Sequence, residues 1–113
     1  MEKYLYGGYN TLHGSEEVLV HKQAEENGDI IEIRIFRVPI SEKNKDGVSY
    51  SLVYVRNGER LMGFDNFEGH EKEGKRHHKH IREETSAYEF IDIWQLINEF
   101  NKEVEKIRRG IIQ

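Results

Sequence analysis

Hydrophobic and polar positions alternate one by one near the end of the first third of the chain. The apolar positions are Ile31, Ile33 and Ile35, and the positions between them are Glu32 and Arg34. An alternation of period two predicts a strand with one buried face and one wet face. Asn27-Gly28 precedes this strand, and both residues tolerate the positive φ of a type I′ turn. The stretch "EVLVHKQAEENGDIIEIRIFRVP" is therefore predicted to be a β-hairpin.

The same pattern returns after a polar loop, "SEKNKDG". The stretch "VSYSLVYV" is followed by Asn57-Gly58 and then by "ERLMGFDNF". One predicted face carries Tyr50, Leu52 and Tyr54, and the other carries Val53 and Val55. A second hairpin with the same turn is therefore predicted. A short aromatic alternation, "AYEFI", predicts a possible fifth strand later in the chain.

The pattern then changes to the spacing of a helix. Asp92 is a predicted N-cap, with Gln95 as its capping-box partner, and Gly110 is a predicted stop. Apolar residues step by three and four through the segment, at Ile93, Ile97, Phe100, Val104, Ile107 and Ile111. This stripe predicts an amphipathic C-terminal helix over residues 92–110, packed by its apolar side.

Together these elements predict an α+β fold. We expect an antiparallel sheet of four to five strands, built from two β-hairpins, with a long C-terminal helix packed on one face. At 113 residues the chain is predicted to be a single domain, 1–113. Residues 1–16 are rich in Gly, Tyr and Asn without a clear period, and we expect an irregular N-terminal arm there.

Composition narrows the setting in which such a domain acts. The sequence contains no cysteine, which excludes disulfides and thiolate metal sites and favours a reducing, cytoplasmic location. The start, "MEKYLYGGYN", predicts no signal peptide, and no window approaches the roughly 20 apolar residues of a membrane span. The net charge of −4 argues against indiscriminate coating of nucleic acid, although a local basic site stays compatible with it.

One such basic site is conspicuous. The stretch "GKRHHKHIREE" holds three of the six histidines, and residues 72–82 contain five Lys or Arg and one Glu, a local formal charge of +4. Three interpretations compete for it: a solvated loop, a metal site, or a site that binds and cuts a polyanion. Histidine suits RNA cleavage, because neutral and charged imidazoles coexist near pH 6.5 and exchange protons with the ribose 2′-OH and the leaving 5′-oxygen.

Strand geometry divides the basic stretch into two faces. In an extended segment His78 and His80 project together with Arg76, whereas His77 and Lys79 face the other way. The catalytic candidates are therefore His78 and His80, which would act as acid and base. The candidates for binding RNA phosphates are Lys75, Arg76, Lys79 and Arg82.

Two further points concern the candidate site: the role of a nearby carboxylate, and the alternative that the histidines bind a metal. Asp65 ends the strand in "GFDN", where it is a turn-former unless it faces the basic stretch and orients a histidine through a hydrogen bond. If His78 and His80 instead ligate zinc, nickel or copper, a third ligand would be needed. The candidates for that ligand are His70, Asp65 and Glu68.

The order of these motifs resembles the TumE family of small prokaryotic toxin–antitoxin proteins. The resemblance rests on "FDNFEGHEKEGKRHHKHIREE" followed by "YEFIDIWQLINEFNKEV", with "IEIRIFRVP" earlier in the chain, and it spans roughly residues 18–105. The family pattern falls on Asp65, Asn66, His78, His80, Tyr88 and Phe90. The resemblance implies a toxin component that acts on RNA and is neutralised by a small antitoxin encoded beside it.

Three hypotheses follow for the function. The first is a metal-independent endoribonuclease-like toxin without a cofactor, in which Asp65, His78 and His80 form the catalytic group. The second is a non-catalytic module that binds RNA or a partner protein through the same patch, and the third is a His-based metal-binding domain. The expected partners are a cognate antitoxin and RNA, with no membrane, and the exposed edge strands of a small sheet favour a homodimer.

Overall fold

The computed structural model describes residues 14–66 and 77–113, which form an antiparallel sheet and a helix. The strands are β1 (Glu16–Ala24), β2 (Ile30–Arg37), β3 (Val48–Arg56), β4 (Glu59–Asp65), β5 (His78–Ile81) and β6 (Glu84–Ala87). The helix is α1 (Ile93–Arg108). The strands follow one another across the sheet in chain order, each antiparallel to the next. Within the described residues, no helix is long and apolar enough to span a membrane.

The α+β prediction is confirmed, but the strand count of four to five is too low, since residues 14–66 and 77–113 contain six strands. The histidine segment is itself a strand, β5, and the sixth strand is the polar β6 rather than "AYEFI". Arg82 adopts the left-handed region with φ 54° and lets the chain reverse at once after β5. All four residues of β6 are exposed, so this edge strand shows no hydrophobic alternation that a sequence pattern would reveal.

Both Asn-Gly hairpins form, but their turns differ. Asn57 and Gly58 have φ of 54° and 78°, which confirms the type I′ turn between β3 and β4. The β1–β2 connection instead spans residues 25–29, and Asn27 does not share the positive φ of Gly28. There the type I′ prediction is wrong, because the buried Asp29 is held in a longer loop. Its carboxylate accepts hydrogen bonds from Tyr54 Oη, at 2.5 Å, and from the Arg56 guanidinium.

The core lies between one face of the sheet and α1. The predicted inward residues of β2 and β3 are all buried: Ile31, Ile33, Ile35, Tyr50, Leu52 and Tyr54. From the helix, the buried apolar residues are Leu96, Phe100, Val104 and Ile107. The predicted stripe was wrong at Ile111, which lies beyond the helix end and is 63% exposed, and it omitted Leu96. The prediction is confirmed at Phe100, Val104 and Ile107, whereas Ile93 and Ile97 are only half-buried.

Asn66 fastens the end of β4 to β3. Its side-chain oxygen accepts a hydrogen bond from the Tyr50 backbone N–H at 2.9 Å, and its amide donates to the Val48 carbonyl at 2.8 Å. Asn66 is fully buried, so these bonds replace the ladder that would continue beyond Asp65. Asn66 therefore acts on the sheet, and by doing so it fixes the position of its neighbour Asp65.

We expect Asn66→Ala to lower the free energy of unfolding by about 1–3 kcal/mol, because the buried Tyr50 N–H would lose its acceptor. Urea denaturation followed by circular dichroism measures this loss. Asn98→Ala, on the exposed side of α1, is the matched control and should not destabilise the fold. Equal stability of the Asn66 and Asn98 variants would contradict the assigned role.

Candidate functional site

A carboxylate and two imidazoles meet on the sheet face opposite α1. Asp65 at the end of β4 pairs in register with His78 of β5, and Gly63 pairs with His80. Because side chains alternate along a strand, Asp65, His78 and His80 share one face. Phe64, on the other face of β4, packs its ring edge-on against Phe100 of the helix. The predicted grouping of His78 with His80 is confirmed, but both imidazoles are buried, at 5% and 4% exposure.

Asp65 lies between the two histidines. Its Oδ2 is 3.0 Å from His80 Nε2, and its Oδ1 is 3.5 Å from His78 Nδ1. The ring centroids of His78 and His80 are 6.1 Å apart. Of the two roles that the sequence left open for Asp65, turn-former or hydrogen-bond partner of a histidine, the second is present, and His80 is the histidine concerned.

The second nitrogen of His80 reaches an exposed hydroxyl. His80 Nδ1 is 3.1 Å from Thr85 Oγ1, on the neighbouring strand β6. Since Nε2 faces the Asp65 carboxylate, it carries the proton of the neutral ring, and Nδ1 accepts a hydrogen bond from Thr85. A continuous hydrogen-bonded chain therefore runs from the buried Asp65 through His80 to Thr85, which is exposed at the edge of the sheet.

Sequence reasoning missed Thr85. The contact depends on the two-residue connection between β5 and β6, which brings His80 opposite Thr85. Arg82-Glu83 is not one of the residue pairs typical of such turns, so the pairing had no local signal. The sequence offers one indirect clue: a two-residue turn at Arg82-Glu83 would place His80 opposite Thr85.

Burial lowers the pKa of His80 below its ordinary value of 6.5. The positive charge of Arg60 and the proximity of His78 act in the same direction, whereas Asp65 opposes them by favouring the charged ring. The burial effect is the largest of these. His80 is therefore neutral near pH 7, which is the state that a proton acceptor requires.

Arg60 is a second residue that sequence reasoning missed. Its Nη1 lies 3.8 Å from Asp65 Oδ2, and its side chain is 41% exposed. Residues three apart in a regular strand lie on opposite faces. Arg60 and Gly63 nevertheless share a face, because Leu61 is an extra residue of β4 at the shift in the β3–β4 register. Gly63 leaves room for this crossing, since a Cβ there would lie 3.2 Å from Arg60 Cδ and 3.0 Å from the Leu52 carbonyl oxygen.

Lys79 lies on the face of α1, away from the histidine pair. Its Nζ is 3.3 Å from Glu103 of the helix and sits 5.7 Å from the centroid of the Phe64 ring. The predicted alternation in the basic stretch is therefore right, but the structure does not bring Lys79 together with His78 and His80. Its charge is engaged with the helix.

His77 also points toward the face of α1 and is held on both nitrogens. Its Nδ1 is 2.8 Å from Tyr50 Oη, and its Nε2 is 2.7 Å from Asp46. The ring stacks on Phe90 with centroids 5.0 Å apart. These contacts join the β2–β3 loop to the segment before α1, so His77 contributes to the fold rather than to the histidine pair.

The remaining candidates are only partly described. Arg82 is exposed at the tip of the β5–β6 hairpin, beside Arg60, where both line a cavity of about 500 Å³. Lys75 and Arg76 lie outside the described residues, as do the alternative metal ligands His70 and Glu68. Within residues 14–66 and 77–113, no three His, Cys, Asp or Glu residues are grouped so that they would hold a metal ion.

Comparison with known proteins assigns the chain to a family. A family model described as Toxin TumE matches residues 9–108, which is most of the chain. The match indicates the toxin component of a toxin–antitoxin system. The chain belongs to the TumE toxin family. No curated protein and no solved structure matches the chain.

The lowered pKa of His80 predicts how stability changes with pH. Unfolded His80 takes up a proton near pH 6.5, whereas folded His80 stays neutral to a lower pH, so the unfolded state binds more protons in that window. The free energy of unfolding should fall as the pH drops below 6.5 and stop falling, for this group, below the folded pKa. Urea denaturation at a series of pH values measures the slope.

His80→Gln should lose this part of the pH dependence because the variant has no group that titrates there. His21→Gln is the matched control, since His21 is exposed on β1 and should leave the slope of the wild type unchanged. The same pH slope for His80→Gln and wild type would show that His80 does not titrate abnormally.

Proposed function

We propose that this TumE-family toxin cleaves RNA in the cytoplasm, using His78 and His80 to exchange protons with the reacting ribose and phosphate. The observation that carries the proposal is the hydrogen-bonded chain from Asp65 through His80 to Thr85, with His78 beside the same carboxylate. Buried titratable groups with a perturbed pKa and a charged partner are typical of functional sites.

The first half of the reaction takes up a proton. The ribose 2′-OH approaches the exposed Thr85 hydroxyl and gives it a proton, while the proton of Thr85 moves to His80 Nδ1. The resulting imidazolium is stabilised by the Asp65 carboxylate, 3.0 Å from its Nε2. Thr85 thereby gives a substrate access to a base that is itself 4% exposed.

The second half of the reaction breaks the chain of the RNA. The 2′-oxygen bonds to the neighbouring phosphorus, and the bond from phosphorus to the 5′-oxygen breaks. His78, whose Nδ1 lies 3.5 Å from Asp65 Oδ1, is the proton donor of this half and gives a proton to the leaving 5′-oxygen. The products are a 2′,3′-cyclic phosphate and a 5′-hydroxyl, and no metal ion takes part.

Basic groups around the site support binding of the phosphate. Arg60 is partly exposed on the same face as Asp65, and Arg82 lies next to it at the hairpin tip. Guanidinium groups match phosphate geometry and stabilise the charge that grows on it during the reaction. Lys75 and Arg76 precede β5 in sequence, and we assign them to the same role. Lys79 is the least suited of the four predicted phosphate ligands because it is paired with Glu103.

We expect His78→Ala and His80→Ala each to reduce the rate of RNA cleavage by about 100-fold or more and to relieve growth arrest on expression. His21→Ala, which removes an exposed imidazole far from the cluster, should remain fully toxic. Cleavage is measured with the purified chain on a fluorescently labelled RNA of mixed sequence. If both cluster variants stay toxic and active, the acid–base proposal is wrong, and a non-catalytic binding module becomes the better account.

A second experiment isolates the hydroxyl. Thr85→Val keeps the shape of the side chain but should lose about 10-fold or more of the cleavage rate, because His80 loses its exposed partner. Thr85→Ser should restore the rate. Ser86→Ala is the matched control, since Ser86 is the neighbouring hydroxyl and points toward the Lys79 carbonyl instead. A Thr85→Val rate equal to that of wild type would exclude the proposed path.

The chemistry of the products gives a test that needs no variant. Cleavage should persist in a chelator and leave 2′,3′-cyclic phosphate and 5′-hydroxyl ends, which mass spectrometry of the RNA fragments identifies. Loss of activity in the chelator, with recovery on adding Zn²⁺, would favour metal-assisted chemistry over the mechanism proposed here.

A further inference from the structure

The outer edge of β6 offers unpaired backbone groups. The Tyr88 N–H donates to the His77 carbonyl at 3.0 Å, so position 88 bonds inward to the end of β5. In an antiparallel pair, inward-bonding and outward-facing residues alternate. Thr85 and Ala87 therefore direct their N–H and C=O groups away from β5. Within the described residues no strand lies beyond this edge.

Two large apolar side chains follow this edge. Ile91 is 58% exposed and Trp94, the only tryptophan of the chain, is 78% exposed. Trp94 occupies the first turn of α1, on the side that faces away from the core residue Leu96. Ile91 and Trp94 follow the last residue of β6 by four and seven residues, and exposed apolar side chains of this size, aromatic ones above all, are typical anchors of protein interfaces.

The same surface is strongly acidic. Residues 83–94 contain Glu83, Glu84, Glu89 and Asp92 and no Lys or Arg, so this short segment has a formal charge of −4. All four carboxylates are exposed. Such a charge repels the same edge of a second copy of the chain. It attracts a segment that carries Lys or Arg.

We propose that the β6 edge together with Ile91 and Trp94 is the surface that binds the cognate antitoxin. An extended antitoxin segment with alternating apolar and basic side chains adds to the sheet beside β6 and covers Trp94. The inference rests on the proposed function only in that a toxin of this family has an antitoxin partner. It adds a means of neutralisation, because a strand paired with Thr85 would bury the hydroxyl through which His80 reaches its substrate.

The test uses the purified chain and the protein encoded by the reading frame next to its gene. Trp94→Ala should weaken binding by tenfold or more, measured by isothermal titration calorimetry. Ala87→Pro should weaken it by a similar factor, since proline removes an outward N–H and adds bulk at the edge without breaking a bond to β5. Circular dichroism checks that each variant folds, and the exposure of Trp94 makes the first variant safe in this respect.

A matched control removes an exposed apolar side chain elsewhere. Ile111→Ala lies beyond the far end of α1, whose last residue is about 21 Å along the helix axis from Trp94, and should bind as tightly as wild type. Labelling the chain with 5-fluorotryptophan adds a direct reading, because its single fluorine resonance should shift when the antitoxin binds.

The outcomes separate this inference from the function on which it rests. If wild type binds and both variants bind equally well, with an unshifted fluorine resonance, the surface is wrong while the toxin assignment stands. If wild type does not bind the protein encoded next to its gene, the assignment of the partner is wrong, and the inference about the surface is wrong as well. A Trp94-dependent dimer, or Trp94-dependent RNA binding, would also overturn it. Loss of RNA cleavage in the histidine variants tests only the catalytic proposal and leaves the surface unaffected.

Discussion

The register between β4 and β5 is the constraint on which the rest of the site depends. It places Asp65 opposite His78 and leaves Gly63 opposite His80, so that one carboxylate serves two imidazoles. A slip of one residue would turn the histidine pair toward the helix and bring Lys79 into the polar cluster. Contacts on the other face resist such a slip. Lys79 is tied to Glu103, and His77 is bonded at both nitrogens and stacked, so the opposite face of β5 fixes the face that carries the chemistry.

Positive and negative side chains lie on different parts of this small domain. The basic stretch has a high formal charge in sequence, but Lys79 is ion-paired inside the fold, 3.3 Å from the buried Glu103. Lys106 of the helix approaches the same carboxylate at 3.2 Å. A buried carboxylate requires such partners, since leaving it unpaired would be strongly unfavourable. The guanidinium of Arg60 instead reaches the histidine face, while residues 83–94, from the end of the β5–β6 turn to the start of α1, are acidic. The net charge of the chain therefore describes no single surface of it.

Much of this arrangement could be predicted from the sequence, because periodicity reports which face of an element is buried. The alternation at Ile31, Ile33 and Ile35 and the separation of His78 and His80 from Lys79 both followed from period two, and both are confirmed. The sixth strand could not be predicted in this way. Its residues are all exposed, and the turn before it has no Gly or Asn. Thr85 and Arg60 were missed for related reasons, since one depends on that turn and the other on a register shift within β4.

The register shift in β4 also affects how sequences of related chains should be aligned. Leu61 is the added residue, and Arg60 lies on the face of Gly63 and Asp65. Without Leu61, Arg60 would stand two residues before Gly63 in a regular ladder, still opposite Val55 and on the same face. A related chain could therefore carry an arginine on the histidine face either three residues before the glycine, with a bulge, or two residues before it, without one. In sequence alignments, a one-residue gap between this arginine and the Asp-Asn pair would then mark the loss of the bulge and not the loss of the guanidinium from that face.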